Sequence, residues 1–196
     1  MTSDLDIRGS ASLQDLDLFA RLNQYFDTLD QHLRAGHGWF IFNAAGSRSR
    51  RIGAFILNRL AQYQPFVSSY FVPWRDFSLN AYMVEVELQT IAPREGELVG
   101  KAKTEFDIAT RVSRESMVKM VASDLLIVTE LRPAHRHELL FLDQTVERRY
   151  NQRLSTILTT PHQPHELAAE FASLAPEVPF WDRLYSRMYE RSLIAL

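Results

Sequence analysis

The residues whose types and spacing could do chemistry lie in Gly38 to Leu60, GWFIFNAAGSRSRRIGAFILNRL. An apolar run is followed by a glycine turn, a burst of Ser and Arg, and an amphipathic stretch, the order strand, turn, helix. Such a turn can hold phosphate when it reads Gly-x-x-x-x-Gly-Lys-Ser/Thr, because backbone amides cradle the anion, Lys reaches its outer oxygens and the hydroxyl binds magnesium. Aligned on Gly46, the first-glycine position is Asn43, Ser47 and Arg48 follow, the lysine position is Ser49 and the metal-hydroxyl position is Arg50. The shape is kept while the groups that grip a triphosphate are changed. Arg48, Arg50 and Arg51 at a helix start also suit an anion or an acidic partner, or simply a solvated basic face, since cations oppose the dipole there.

The remaining chemistry-bearing residues are sparser. His135 and His137 form one histidine group and His162 and His165 another. Together they could ligate zinc or nickel, but neither has helical i, i+4 spacing, and no metal is assigned. Ser47 and Ser49 lack the Gly-x-Ser-x-Gly frame of a nucleophile. Trp74, Phe77, Tyr82, Trp181 and Tyr185 could stack bases or anchor a core. Cysteine is absent, which removes disulfides and thiolate chemistry.

The elements that must position these residues come from periodicity. The 196 residues, 46% hydrophobic and 23% charged, have the length and composition of one soluble domain. Net charge is −2 and Arg outnumbers Lys 19 to 3, so nucleic acid is a minority partner and arginine-rich contacts are expected. Residues 1–11 read as a polar tail and 12–196 as one domain. A helix is expected from a Ser12/Asp15 cap through Leu33, with Leu13, Leu16, Phe19, Leu22, Phe26, Leu29 and Leu33 on one stripe. Trp39 to Phe42, Phe66 to Val72, Asp124 to Val128, Ser155 to Thr159 and Ser192 to Leu196 read as strands. Helices are expected over Arg51–Tyr63 (Ile52, Phe55, Ile56, Leu57 and Leu60 inward), Ser113–Ala122, His135–Asn151, Glu166–Leu174 and Phe180–Tyr189. Residues 80–112 are ambiguous: Val84 to Leu88 alternates like a half-exposed strand but can also continue a helix. Pro93 to Gly100 reads as a loop, and 80–112 as a candidate insertion. Alternating strands and helices predict a mostly parallel five-stranded sheet in a three-layer αβα domain. No apolar run approaches a membrane span and the N-terminus lacks signal-peptide features, so a cytoplasmic location is expected.

Four segments in order resemble AAA+ ATPases of the bacterial initiator and helicase-loader type, the DnaA, Hda, DnaC and IstB proteins. They are Trp39 to Leu60; Asp124 to Leu131, DLLIVTEL, similar to the second acidic motif; Arg149 to Thr160, RYNQRLSTILTT, similar to the sensor strand; and Trp181 to Leu196, WDRLYSRMYERSLIAL, similar to the Asp-Arg-Leu-x-Ser-Arg box. The resemblance covers residues 38 to 196 and implies a P-loop AAA+ core. It also implies what is missing. The magnesium carboxylate position is Thr129, with the following acid kept as Glu130; Pro161 follows the sensor strand; and the sequence closes on its last strand without a helical lid. A hydroxyl in place of that carboxylate cannot satisfy a hard cation, and without the lysine little neutralises a triphosphate. The resemblance therefore implies a non-catalytic relative with no cofactor. It would act on another protein, such as an active AAA+ ATPase or replication factor, or on a copy of itself, in replication, its regulation or mobile-element biology. From the kept box, Arg183 or Arg187 would be a trans-acting arginine. The bland alternative is that these arginines pair with Asp182, Glu177 or Glu190.

Overall fold

The computed structural model describes residues 13–91 and 99–196. The expected tail and most of the Pro93 to Gly100 loop lie outside them.

Five strands, β1 (Gly38–Ile41), β2 (Ser69–Pro73), β3 (Leu125–Thr129), β4 (Ser155–Thr159) and β5 (Ser192–Ala195), form one sheet in the order β2-β3-β4-β1-β5. Every pairing is parallel, with Phe40 opposite Leu158 and Val128 also opposite Leu158. The helices are α1 (Leu13–Asp27), α2 (Leu29–Ala35), α3 (Gly46–Gln62), α4 (Trp74–Tyr82), α5 (Leu88–Ile91), α6 (Gly100–Ala122), α7 (Arg136–Asn151), α8 (Pro164–Leu174) and α9 (Phe180–Arg191), with a π-helical turn at Met83–Glu87.

The period of two along a strand divides the core between the sheet's faces. Trp39, Ile41, Leu125, Ile127 and Ile157 pack with α1 and the Ile52/Ile56 stripe of α3. Phe40, Phe42, Val72, Leu126, Val128 and Leu158 face the other way, against α4, α7, α8 and α9. Gly38 is required where β1 meets β4: a Cβ there would lie 1.8 Å from the Thr156 carbonyl oxygen.

Several boundaries differ from the sequence reading. The first helix breaks at Thr28, and Leu16 is 40% exposed rather than on the buried stripe. α3 begins at Gly46, five residues before Arg51, because Gly46 takes φ +55° and Ala45 accepts the first-turn amide of Arg48 at 3.1 Å. Leu57 faces solvent, and Phe66 lies outside β2. The Val84 to Leu88 alternation is helical, not a strand. Ser113 does not open a helix but is buried midway along the 23-residue α6. Its apolar side chains Ile108, Val112 and Val118 remain about half exposed, so α6 carries no clean stripe for periodicity to find.

Candidate functional site

The turn after β1 stands where open α/β sheets bind ligands, at the carboxyl ends of the strands. Three of its amides are already bonded within the protein. Asn43 N donates to the His162 carbonyl at 3.1 Å, Ala44 N to that of Thr160 at 2.8 Å, and Ala45 N to that of Asn43 at 3.0 Å. Asn43 itself sits at φ +54°.

The side chains of the turn divide by direction. Arg48 points to protein: Nε donates to Asp15 Oδ1 at 2.7 Å, and Nη1 donates to the carbonyls of Phe42 at 3.1 Å and Asn43 at 3.0 Å. Arg51 binds the other Asp15 oxygen at 2.6 Å. Asp15 is 4% exposed, so α1 supplies a buried carboxylate to the turn; the Ser12 half of the expected helix cap lies outside the described residues. Ser49, at the lysine position, is buried in the packed side of α3. Ser47 and Arg50 are exposed, and Arg50 has no ionic partner among the described residues.

The second motif is stitched to the sensor strand. Thr129 is 6% exposed, and Glu130 adopts φ +61°, an uncommon conformation for a side-chain-bearing residue. Glu130 N donates to Thr159 Oγ1 at 3.2 Å, Leu131 N to the Thr159 carbonyl at 2.9 Å, and Thr160 Oγ1 to the Leu131 carbonyl at 2.9 Å. Between this seam and the turn lies a crevice of about 460 Å³, walled by Gly46, Trp74, Glu130 and Pro161, with Arg75 and Arg132 at its rim. Arg75 also borders an adjoining cavity of about 550 Å³ with Tyr82, His135 and His137. Arg75 and Arg132 were not singled out in the sequence. Their signal was positional, an arginine within a few residues of each of two strand ends.

The box arginines are paired, though not with the acids expected. Arg183 and Arg187 meet Asp143 of α7 at 3.0 and 2.7 Å, and Arg187 also meets Glu147 at 3.2 Å. Glu177 instead binds Arg136 at 2.9 Å, Glu190 accepts from the Tyr150 hydroxyl, and Asp182 is exposed. Of the aromatics, Trp74 and Phe77 are buried and stacked at 5.0 Å, Trp181 packs edge-on to Phe171, and Tyr82 is 42% exposed. His135 stacks on His137 at 5.3 Å, and His162 lies 3.4 Å from Glu170. Among the described residues no group of three or more His, Asp or Glu is arranged to hold a metal.

Arg149 went unnoticed as an individual residue. Fully buried, it donates to the carbonyls of Met120 at 2.8 Å, Ser123 at 2.9 Å and Ser155, and to Thr156 Oγ1 at 3.0 Å. Burial pulls its guanidinium down to about 10 against the opposing pull of Asp124, which leaves it charged at neutral pH.

The fold, a five-stranded all-parallel sheet between helices, is shared with solved structures of replication proteins. The chain is similar to a crystal structure of the DnaC helicase loader (TM-score 0.60, 14% identity, 97% of this chain and 94% of that one). It is also similar to a putative primosome component from Streptococcus pyogenes serotype M3 (TM-score 0.63, 14% identity, 99% and 83% covered). AMPPCP-bound DnaA from Aquifex aeolicus aligns at TM-score 0.57 and 13% identity over 95% of this chain and 48% of that one. No family model matches the sequence, and no curated protein matches it. No helix of the described residues is long and apolar enough to cross a membrane.

Proposed function

We propose that this chain is a non-catalytic AAA+-like adaptor or regulatory subunit that acts through protein–protein contacts in DNA replication, its regulation or mobile-element biology. One observation carries the reading: the amides of Asn43, Ala44 and Ala45 and the Arg48 guanidinium are committed to protein acceptors. Phosphoryl transfer needs those amides, a cation on the outer phosphates and a carboxylate-held magnesium. Here Ser49 and Thr129 stand at the last two positions, both buried. The partner in this reading is another protein, an active AAA+ ATPase or a second copy among the choices. Calorimetric titration with ATP–magnesium, paired with a turnover assay, tests it. Hydrolysis that disappears on Glu130→Gln would overturn it.

A second reading, a divergent site that still binds nucleotide, draws on Arg75 and Arg132, exposed cations that line the crevice, and on Arg50, exposed in the first turns of α3. The same titration with Arg50→Ala and Arg75→Ala separates the two, because only the second reading loses affinity.

A further inference from the structure

Helix α6 packs its inner side on α7 and α4, with Ser113 and Met120 buried. Its outer side is not the plain polar face of a surface helix. Ile108, Val112 and Val118 are 47, 52 and 58% exposed there. Ile108, Arg111, Glu115 and Val118 follow alternating three- and four-residue steps, the a and d spacing of a helix seam. Along one flank runs a recess of about 760 Å³ between α6 and Leu88 of α5, with Phe106 and Val118 in its wall.

The eight exposed positions from 107 to 119 are self-complementary about Ser113. Ile108 and Val118 each lie five residues from it, an apolar pair. Arg111 and Glu115 each lie two away, and Asp107 and Lys119 six, both pairs of opposite charge. Val112 and Arg114 flank it, where an arginine stem can cover a valine. A second α6 laid antiparallel, with Ser113 at the same height, meets a match at every exposed position and no like charge. Parallel packing in register would instead set Arg111 on Arg111 and Glu115 on Glu115. The same charges stand at i, i+4 along their own helix. Yet the ion pair within α6 among the described residues is Lys101 with Glu105 at 3.5 Å, and Asp107, Arg111, Glu115 and Lys119 make none.

We propose that two copies of this chain associate through α6, antiparallel about a two-fold axis level with Ser113. Because such an interface is isologous, each pair forms twice: Ile108 against Val118 of the second copy, and Arg111 against its Glu115. Ile108 of the second copy stands level with Val118 and enters the recess beside it. The buried strip is small and partly ionic, so association is expected in the micromolar range and weakens with salt. The choice of a second copy sharpens the adaptor reading but rests on none of its nucleotide argument, since no residue of α6 lines the crevice.

Sedimentation velocity on the full chain without nucleotide, across micromolar concentrations, tests it. The parent chain is expected to pass from monomer to dimer. Arg111→Glu sets two carboxylates face to face and Glu115→Arg two guanidiniums, so each alone is expected to raise the dissociation constant about tenfold or more. Mixed in equal amounts, the two variants restore opposite charges at both layers and are expected to dimerise with each other, which misfolded chains could not do. Because the chain has no cysteine, the register can be read directly. Under mild oxidation Ile108→Cys mixed with Val118→Cys is expected to give a disulfide-linked pair, and neither variant alone. A chain that stays monomeric, as it would if a different protein covered this face, overturns the proposal. So does a dimer indifferent to both charge reversals, or one that cross-links through Ile108→Cys alone.

Discussion

Arg48 turns its guanidinium away from the crevice and onto Asp15, 33 residues earlier, with Nε to Oδ1 at 2.7 Å. Because Arg48 also holds the carbonyls of Phe42 and Asn43, this pair connects α1 to the turn itself. The first prediction concerns stability. Asp15→Asn removes a charge that serves two arginines, one of them 29% exposed. Water can rescue part of the loss, so the cost is about 1–3 kcal/mol rather than the larger penalty of a fully buried pair. An unfolding free energy from urea titration within about 0.3 kcal/mol of the parent chain would contradict this.

Restoring the motif residues alone is not expected to restore the activity. Ser49→Lys with Arg50→Thr and Thr129→Asp writes the missing groups back into the sequence. The amides of Asn43, Ala44 and Ala45 nevertheless stay bonded to His162, Thr160 and Asn43, and Ser49 and Thr129 stay buried. Burying an unpaired lysine or carboxylate is costly, so the triple variant is expected to be less stable and still without magnesium–ATP binding in calorimetry. Binding at micromolar concentration would mean that the turn opens readily.

Much of this architecture was legible because the central strands are short, contiguous apolar runs bounded by Gly, Pro or charge. Trp39 to Phe42 and Leu125 to Val128 could hardly be anything but covered strands. What escaped was long-range or unpatterned. No spacing rule connects Asp15 to Arg48, or Asp143 to Arg183 and Arg187, because those pairs form only once separate helices pack. The first half of α6, ahead of Ser113, escaped because its face is not apolar. The start of α3 was misplaced because it depends on the backbone of Gly46, which admits a positive φ that periodicity does not report.

Arg149 is expected to be the most sensitive charged position among the described residues. Its donors fasten the end of α6 and the lead-ins to β3 and β4 from one buried point. Arg149→Lys keeps the charge but cannot reproduce a planar fork, which strands several carbonyls. Arg149→Met removes the charge and leaves the same acceptors unsatisfied. Both are expected to lose about 3–5 kcal/mol by chemical denaturation, or to accumulate insoluble. A soluble Arg149→Lys chain with an unchanged midpoint would show that water replaces the guanidinium.

The two box arginines separate a structural clamp from a trans-acting one. Arg187 is 16% exposed and bridges Asp143 and Glu147, whereas Arg183 is 40% exposed and bridges Asp143 alone. Arg187→Ala is therefore expected to cost about 1–3 kcal/mol of stability and Arg183→Ala less than about 1 kcal/mol. A double-mutant cycle of Arg187→Ala with Asp143→Ala isolates their coupling, expected at about 1 kcal/mol or more. A finger that reaches a neighbour's nucleotide would behave oppositely, with little change in the melt and a large fall in a partner ATPase's turnover. Since Arg183 spends less on Asp143, a trans role that survives the melt measurement belongs to Arg183 rather than Arg187.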